Sequence, residues 1–213
     1  MTFESLKTDF NNYMERGFTE ASDPIVFDQI PRLINLAERR CARELKIQGF
    51  QATLTSTMAT GVAVIAKPDR WRETISMNFG TGTLNNTRNF LKPRSYEYCV
   101  AYWPDRTATD VPEFYADYNY SNWFISPTPA AAYPFEVLLW ELPALLDDDN
   151  QENWTTEYIP ELLLYATLLE ATPFLKNDER ITIWTQMYDR AAAAINGEDL
   201  AKILDRTSER KTA

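Results

Sequence analysis

WTTEYIPELLLYATLLEATPF, residues 154–174, is the stretch whose reading decides the fold. Thr155 or Thr156 can cap a helix, and Pro160 then falls in a first turn, where backbone N–H groups have no intrahelical partner and proline costs little. Leu162, Leu163, Leu164, Tyr165, Ala166, Leu168 and Leu169 make the run apolar almost all round, leaving Thr167 and Glu170 as a narrow polar strip. A helix of that kind has to be covered on several sides. It is far shorter than the roughly 20 apolar residues a bilayer requires, and Glu161 and Glu170 bracket it, so it reads as the centre of a helical bundle rather than a membrane span. Thr172-Pro173 ends it. Asn177 then caps a second helix with Asp178 and Glu179 in its first turn, where acidic groups favour the helix dipole. Ile181, Trp184, Tyr188, Ala191 and Ile195 recur at the spacing of one buried stripe. Asn196-Gly197 supplies a left-handed stop, Leu200, Ile203 and Leu204 a short last helix, and the tail from Thr207 is polar.

Working outward to the other end, Phe3, Leu6, Phe10 and Tyr13 repeat at helical spacing, which predicts an amphipathic helix over 2–16, stopped by Gly17 and packed on the C-terminal pair. Asp23-Pro24 and Pro31 both resemble helix starts, and one helix interior cannot hold both prolines, so a long helix begins near Asp28. Leu33, Ala37, Cys41, Leu45 and Gln48 mark its buried face, widened by Ile34, and Gly49 is its stop. Other faces carry Arg32, Arg39, Arg40, Arg43 and Lys46, with Arg39, Arg43 and Lys46 in line at i, i+4 and i+7. Two explanations stand side by side for this basic stripe. It is a solvated face paired to Glu38 and Glu44, or it meets an acidic surface on a neighbouring subunit.

From Gln51 the hydrophobic period changes to two. Leu54–Thr57, then Val62, Val64 and Ile65 after a break at Gly61, read as strands, and Pro68-Asp69 turns the chain into a strand over Thr74–Phe79. There Ile75, Met77 and Phe79 face one side and Thr74, Ser76 and Asn78 the other. Gly80-Thr81-Gly82 lacks the third glycine, the Lys-Ser/Thr end and the following helix of a phosphate cradle. Asn85, Asn86, Thr87 and Arg88 form an exposed tip of the sort that contacts other proteins. Phe90 and Leu91 give a short strand, Ser95 starts a brief helix through Tyr102, and Glu113–Tyr118 with Trp123–Ser126 make a hairpin. Pro134–Leu142 follows, with Phe135, Val137 and Leu139 opposite Glu136, Leu138 and Trp140, to complete a meander. Asp147, Asp148 and Asp149 lack the spaced ligands and the glycine of a calcium loop and read as a solvated connector. The fold class is α+β: one domain over 1–213, with a bundle from 2–50 and 151–206 and an inserted, mostly antiparallel β lobe over 51–143.

Composition narrows the function. The 213 residues carry a net charge of -10, which argues against wrapping nucleic acid, since that needs clustered Lys and Arg. The absence of histidine removes the commonest general base, Ser-His and Cys-His pairs, and the usual zinc ligands. Cys41 and Cys99 form no close pairing motif, and Met1–Phe10 has no apolar signal region, so both read as free thiols made in a reducing cytosol. No catalytic residue, cofactor or metal is expected. The strongest enzymatic rival, a carboxylate hydrolase using Glu113 and Asp117, needs its acids about 5–10 Å apart, whereas i and i+4 of a strand are roughly 13 Å apart. A free-standing protein-interaction domain is the other rival.

Pro112-Glu113-Phe114-Tyr115-Ala116, Pro127-Thr128-Pro129 with Tyr133, Asn153-Trp154 and Pro160 through Tyr165 carry a resemblance that continues in Glu170 through Leu175, Asp178, Arg180, Trp184 and Tyr188. The Pro68-Asp69 turn fits the same pattern. Over roughly residues 25–195 the chain resembles the head-to-tail adaptor, or head-completion, proteins of short-tailed bacteriophages, a group that includes the tail tubular A type. The resemblance implies a virion protein of the neck, made in the host cytoplasm. It implies a ring, dodecameric in form, docked on the portal protein and carrying tail nozzle or tail fibre proteins, with DNA passing through the centre without sequence-specific binding and no membrane involved. An acidic channel suits that role, because it repels phosphate. The interface residues expected from the basic stripe and the exposed tip, neither of which the resemblance supplies, are Arg39, Arg43, Lys46, Asn85, Asn86 and Arg88.

Overall fold

A computed structural model describes residues 1–15, 19, 21–45, 47–81, 87–174 and 179–207. The protein is α+β, with helices at both ends of the chain and a mixed sheet between them. Two compact units divide it, Met1–Phe50 with Leu142–Ala213, and Gln51–Glu141.

In the first unit, α1 (Phe3–Met14) starts in a capping box: the Ser5 N–H donates to the Thr2 hydroxyl at 3.1 Å and the Thr2 N–H to the Ser5 hydroxyl at 2.8 Å. Phe3, Leu6, Phe10 and Met14 form its buried stripe. Tyr13, expected on that stripe, is 45% exposed and lays its ring edge against Tyr165, because Met14 completes the i, i+3, i+7, i+11 series. The left-handed residue that ends α1 is Glu15, at φ 54°; the expected stop, Gly17, lies outside the described residues.

Both prolines do start helices. Pro24 opens the one-turn α2 (Pro24–Phe27), capped by Asp23, and Pro31 sits in the first turn of α3 (Ile30–Glu44). Leu33, Ile34, Ala37 and Cys41 are buried as the spacing requires. The helix ends at Glu44 rather than at Gly49, since Leu45 is already extended. Gly49 has a different task in the 3-10 turn Gln48–Phe50: a Cβ there would fall 2.0 Å from the ring of Trp154, so only glycine lets that indole lie down.

Asn153, not Thr155 or Thr156, is the decisive cap of the central stretch. Its side-chain oxygen accepts from the N–H groups of both threonines, which begin a short α5 (Trp154–Tyr158). A separate α6 (Pro160–Glu170) follows, and it packs against α3 and α7 and more lightly against α1 and α5. Both residues of its narrow polar strip have partners within the fold: Thr167 is fully buried and donates its hydroxyl to the Leu163 carbonyl at 2.8 Å, and Glu170 faces Arg40. After the 3-10 turn Thr172–Phe174, α7 runs unbroken over Arg180–Thr207. Asn196-Gly197 is therefore no stop and there is no separate last helix. A mid-helix glycine costs only about 1 kcal/mol relative to alanine, and the four alanines at 191–194 favour continuation. The Asn177 cap and Asp178 lie outside the described residues.

The second unit holds one sheet in the order β1-β7-β3-β4-β5-β6-β2, built from β1 (Gln51–Thr57), β2 (Val64–Ala66), β3 (Trp71–Thr81), β4 (Thr87–Pro93), β5 (Phe114–Asn119), β6 (Asn122–Ser126) and β7 (Pro134–Glu141). Most pairs are antiparallel, including the expected β5–β6 hairpin. The meander does not form. β7 inserts between β1 and β3, and β4 pairs in parallel with β5 at Lys92–Phe114 and Pro93–Tyr115. A parallel pair needs a crossover, and the segment carrying α4 (Tyr96–Tyr102), capped by Ser95, provides it. Alternation on β7 is as expected, with Phe135, Val137 and Leu139 buried. On β3 it fails, because a register shift between Thr74 and Ser76 turns Ile75 outward while Met77 and Phe79 remain in the core. Trp123, fully buried, donates its indole N–H to the Thr74 hydroxyl at 2.8 Å, so the shift positions a polar partner for the largest core side chain.

Candidate protein-protein interface

The candidate surface begins with the geometry of α3. At 3.6 residues per turn, Arg32, Leu36, Arg39 and Arg43 follow i, i+4, i+7 and i+11 and form one narrow strip, and all four are exposed. Leu36, 41% exposed, is the apolar centre of three guanidinium groups. Arg39 and Arg43 thus lie where the spacing placed them. Arg32 and Leu36 were not recognised as part of the same strip, although the i, i+4, i+7, i+11 series contains them. Lys46 lies outside the described residues.

The acids next to these arginines have other partners. Glu38 points inward, fully buried, and accepts from the Leu146 N–H at 3.0 Å and from the Asn153 amide. Burial pushes its carboxyl up to about 7, against the hydrogen bonds from Leu146 and Asn153 and the nearby Arg39 charge. Glu44 is held by Arg40 at 3.0 Å and by the Tyr188 hydroxyl. Arg40 also reaches Glu170 at 3.4 Å and lies 4.7 Å from the centre of the Tyr188 ring. Burial raises the Tyr188 phenol well above its ordinary range, reinforced by its bond to Glu44, so it stays a neutral donor. Of the five cations on this helix segment, Arg40 is spent inside the fold. Among the described residues neither Arg39 nor Arg43 has a carboxylate in ion-pair contact, and Arg32 meets only Gln29, at 3.5 Å.

The expected second contact lies on the β3–β4 hairpin. Arg88, exposed, pairs across the ladder with Gly80, and Phe90, 69% exposed, pairs with Asn78. Asn85 and Asn86 lie outside the described residues. Phe90, read only as a strand residue, is the apolar group that sequence reasoning missed here; periodicity gave no signal that its neighbour Leu91 alone faces the core.

The acids of the hydrolase reading have separate engagements. Asp117 pairs with Lys67 at 2.9 Å, and Glu113 accepts from the Tyr102 hydroxyl at 3.3 Å. Asp147 accepts from the N–H groups of Asp149 and Asn150 and so closes its own turn. Cys41 and Cys99 are free and buried, and burial pushes the Cys41 thiol up to about 12, which leaves it unreactive. Among the described residues no helix is long and apolar enough to cross a membrane.

The α3 strip sets positive charge around an apolar side chain, on a chain of opposite net sign. No curated protein matches the chain. A family model described as SU10 adaptor protein matches residues 1–210, a span that takes in both units and exceeds the 25–195 over which the resemblance was read. The chain belongs to the SU10 adaptor protein family, structural adaptors of the bacteriophage virion.

Proposed function

We propose that this protein forms a ring of identical subunits, dodecameric as the resemblance implies, between the portal and the tail nozzle, around a channel through which DNA passes. The helices at the two chain ends act as one bundle and, with the β lobe, as a single adaptor domain of the virion neck, made in the host cytoplasm. The observation that carries this reading is the α3 strip, whose arginines project outward while Glu38 and Glu44, their nearest acids, are bound elsewhere in the fold. Subunits in a closed ring meet through unlike faces, and a basic face on a chain of net charge -10 supplies one half of such a contact. The remaining acidic surface suits a passage that must not hold DNA, because phosphate contacts to Lys and Arg would bind it with steep salt dependence. The β3–β4 hairpin, presenting Arg88 and Phe90, is the contact to the portal or the nozzle.

Electron cryo-microscopy of the purified chain mixed with portal rings tests the proposal. The expected image is a closed ring stacked coaxially on the portal. Free, unstacked monomers beside intact portals at micromolar concentrations of both would overturn it.

A further inference from the structure

A groove of about 450 Å³ opens in the helical unit between the α5–α6 corner and α7. Ile159, Leu162, Ala191 and Ile195 line it, and Glu157 and Glu161, both exposed, stand at its edge. The apolar character continues along the outer face of α7, where Ile183 is 53% and Met187 41% exposed and, with Ala191 and Ala194, they keep the spacing of one stripe. Exposed apolar side chains aligned beside two carboxylates, on a helix that has already buried Trp184 and Tyr188, mark a docking surface rather than unfinished core.

We propose that this groove receives the α3 strip of a second copy of the chain, Leu36 entering the apolar floor while Arg32, Arg39 and Arg43 meet Glu157 and Glu161. The inference rests on the ring reading and names its two faces. The match is one of chemistry on both sides: an apolar knob ringed by guanidinium groups, and an apolar groove edged by carboxylates. Helices recognise grooves through anchors at this spacing. The two faces share no residue, so one contact can use the strip of one copy and the groove of the other, leaving the pair with one free face of each kind, as head-to-tail ring growth requires. It also answers an electrostatic difficulty, since copies of a chain with net charge -10 repel one another unless the contact itself is locally complementary.

Variants with one added cysteine test it directly, because Leu36 and Ala194 are both exposed and the two native cysteines are buried. L36C and A194C are mixed under mild oxidation and the covalent dimer is quantified on non-reducing gels, with the wild-type chain as background and sedimentation reporting whether that chain assembles. The expected dimer appears in the mixture at about ten times the level of either variant alone. Adding Glu157→Lys and Glu161→Lys to the A194C partner should abolish it, and adding Arg39→Glu and Arg43→Glu to the L36C partner should restore it. A dimer of L36C alone at equal yield would overturn the head-to-tail contact. Absent crosslinking with an assembling wild-type chain would overturn the groove while leaving the ring intact. A wild-type chain that stays monomeric, with no crosslink and no portal binding, would overturn both.

Discussion

Glu38 should make this protein less stable as the pH rises towards neutral, the reverse of the usual carboxylate. The side chain is fully buried, with its carboxylate oxygens accepting from the Leu146 N–H and the Asn153 amide, yet desolvation outweighs these bonds and the neighbouring Arg39 charge and raises its pKa from 4.5 to about 7. Below 4.5 the group is protonated whether the chain is folded or not, and contributes no pH dependence. Between 4.5 and 7 the unfolded chain has lost the proton while the folded one keeps it. Folding then binds a proton, and stability falls with rising pH by about 1.4 kcal/mol for each pH unit, or about 3 kcal/mol across the window. Above 7 both forms are ionised and the loss is complete. The perturbation is Glu38→Gln, which keeps the shape but cannot ionise. Its amide must turn an N–H toward one of the two donors, so the variant forfeits about 1–3 kcal/mol at all pH values. The informative quantity is therefore a difference of differences. Urea denaturation at pH 5 and pH 8 should show the wild type losing roughly 3 kcal/mol more than the variant between the two conditions. Parallel pH profiles for the two proteins would refute the reasoning, since a Glu38 ionised throughout would contribute no slope.

Gly49→Ala should destabilise the helical unit by about 1–3 kcal/mol, because its Cβ would fall 2.0 Å from the Trp154 ring; thermal unfolding followed by tryptophan fluorescence measures it, and the cost should shrink markedly in a Trp154→Ala background. Lys67→Ala should cost the β unit about 2 kcal/mol by urea denaturation, through its bonds to the Asn119 carbonyl and Asp117, each at 2.9 Å, and its stacking on Trp71; the loss stays below that of a buried pair because Asp117 is 52% exposed and keeps its hydration. Arg39→Glu with Arg43→Glu should leave the unfolding free energy at pH 5–6, where Glu38 is protonated, within about 0.5 kcal/mol of wild type while abolishing ring assembly in sedimentation velocity, since both side chains face solvent.

Elements whose signal is local were legible in the sequence. The change of period at Gln51, the Ser95 cap and the β7 alternation all depend on residues a few positions apart. What failed depended on distant partners. Gly49 resembles a helix stop, and only the Trp154 ring, more than a hundred residues away, explains it. Thr167 belongs to the narrow polar strip of α6, and only its bond back to Leu163 shows how a polar residue is accommodated at a fully buried position. The meander failed because strand order depends on which edges remain open, and no spacing in the sequence says that β7 will insert between β1 and β3. Of the candidate interface, the arginine spacing was readable and its meaning was not. Glu38 and Glu44 stood in the sequence as the natural partners of Arg39 and Arg43, and their engagement with Leu146, Asn153, Arg40 and Tyr188 is a tertiary fact.

Those engagements also explain how an acidic chain presents a basic surface. An α3 that left Glu38 and Glu44 beside its arginines would offset two of its four positive charges, and exposed pairs of that kind contribute only about 0–1 kcal/mol each. This helix instead draws Arg40 and Glu44 together against Tyr188, and turns Glu38 into the core. The second of these moves is costly at neutral pH, by the same burial that raises the Glu38 carboxyl to about 7. Part of that cost is offset where Glu38 holds Asn153, the residue whose side-chain oxygen caps α5, so the carboxylate that leaves the α3 surface orders the corner bearing Glu157. One buried acid thereby takes negative charge away from the strip that presents Arg39 and fixes the segment that carries Glu157, the acid proposed to meet a neighbour's α3. A substitution at Glu38 should then weaken assembly through the Glu157 face, by loosening the Asn153 cap, and should not be rescued by a charge-reversed partner, whereas changes at Arg43 or Glu161 should be.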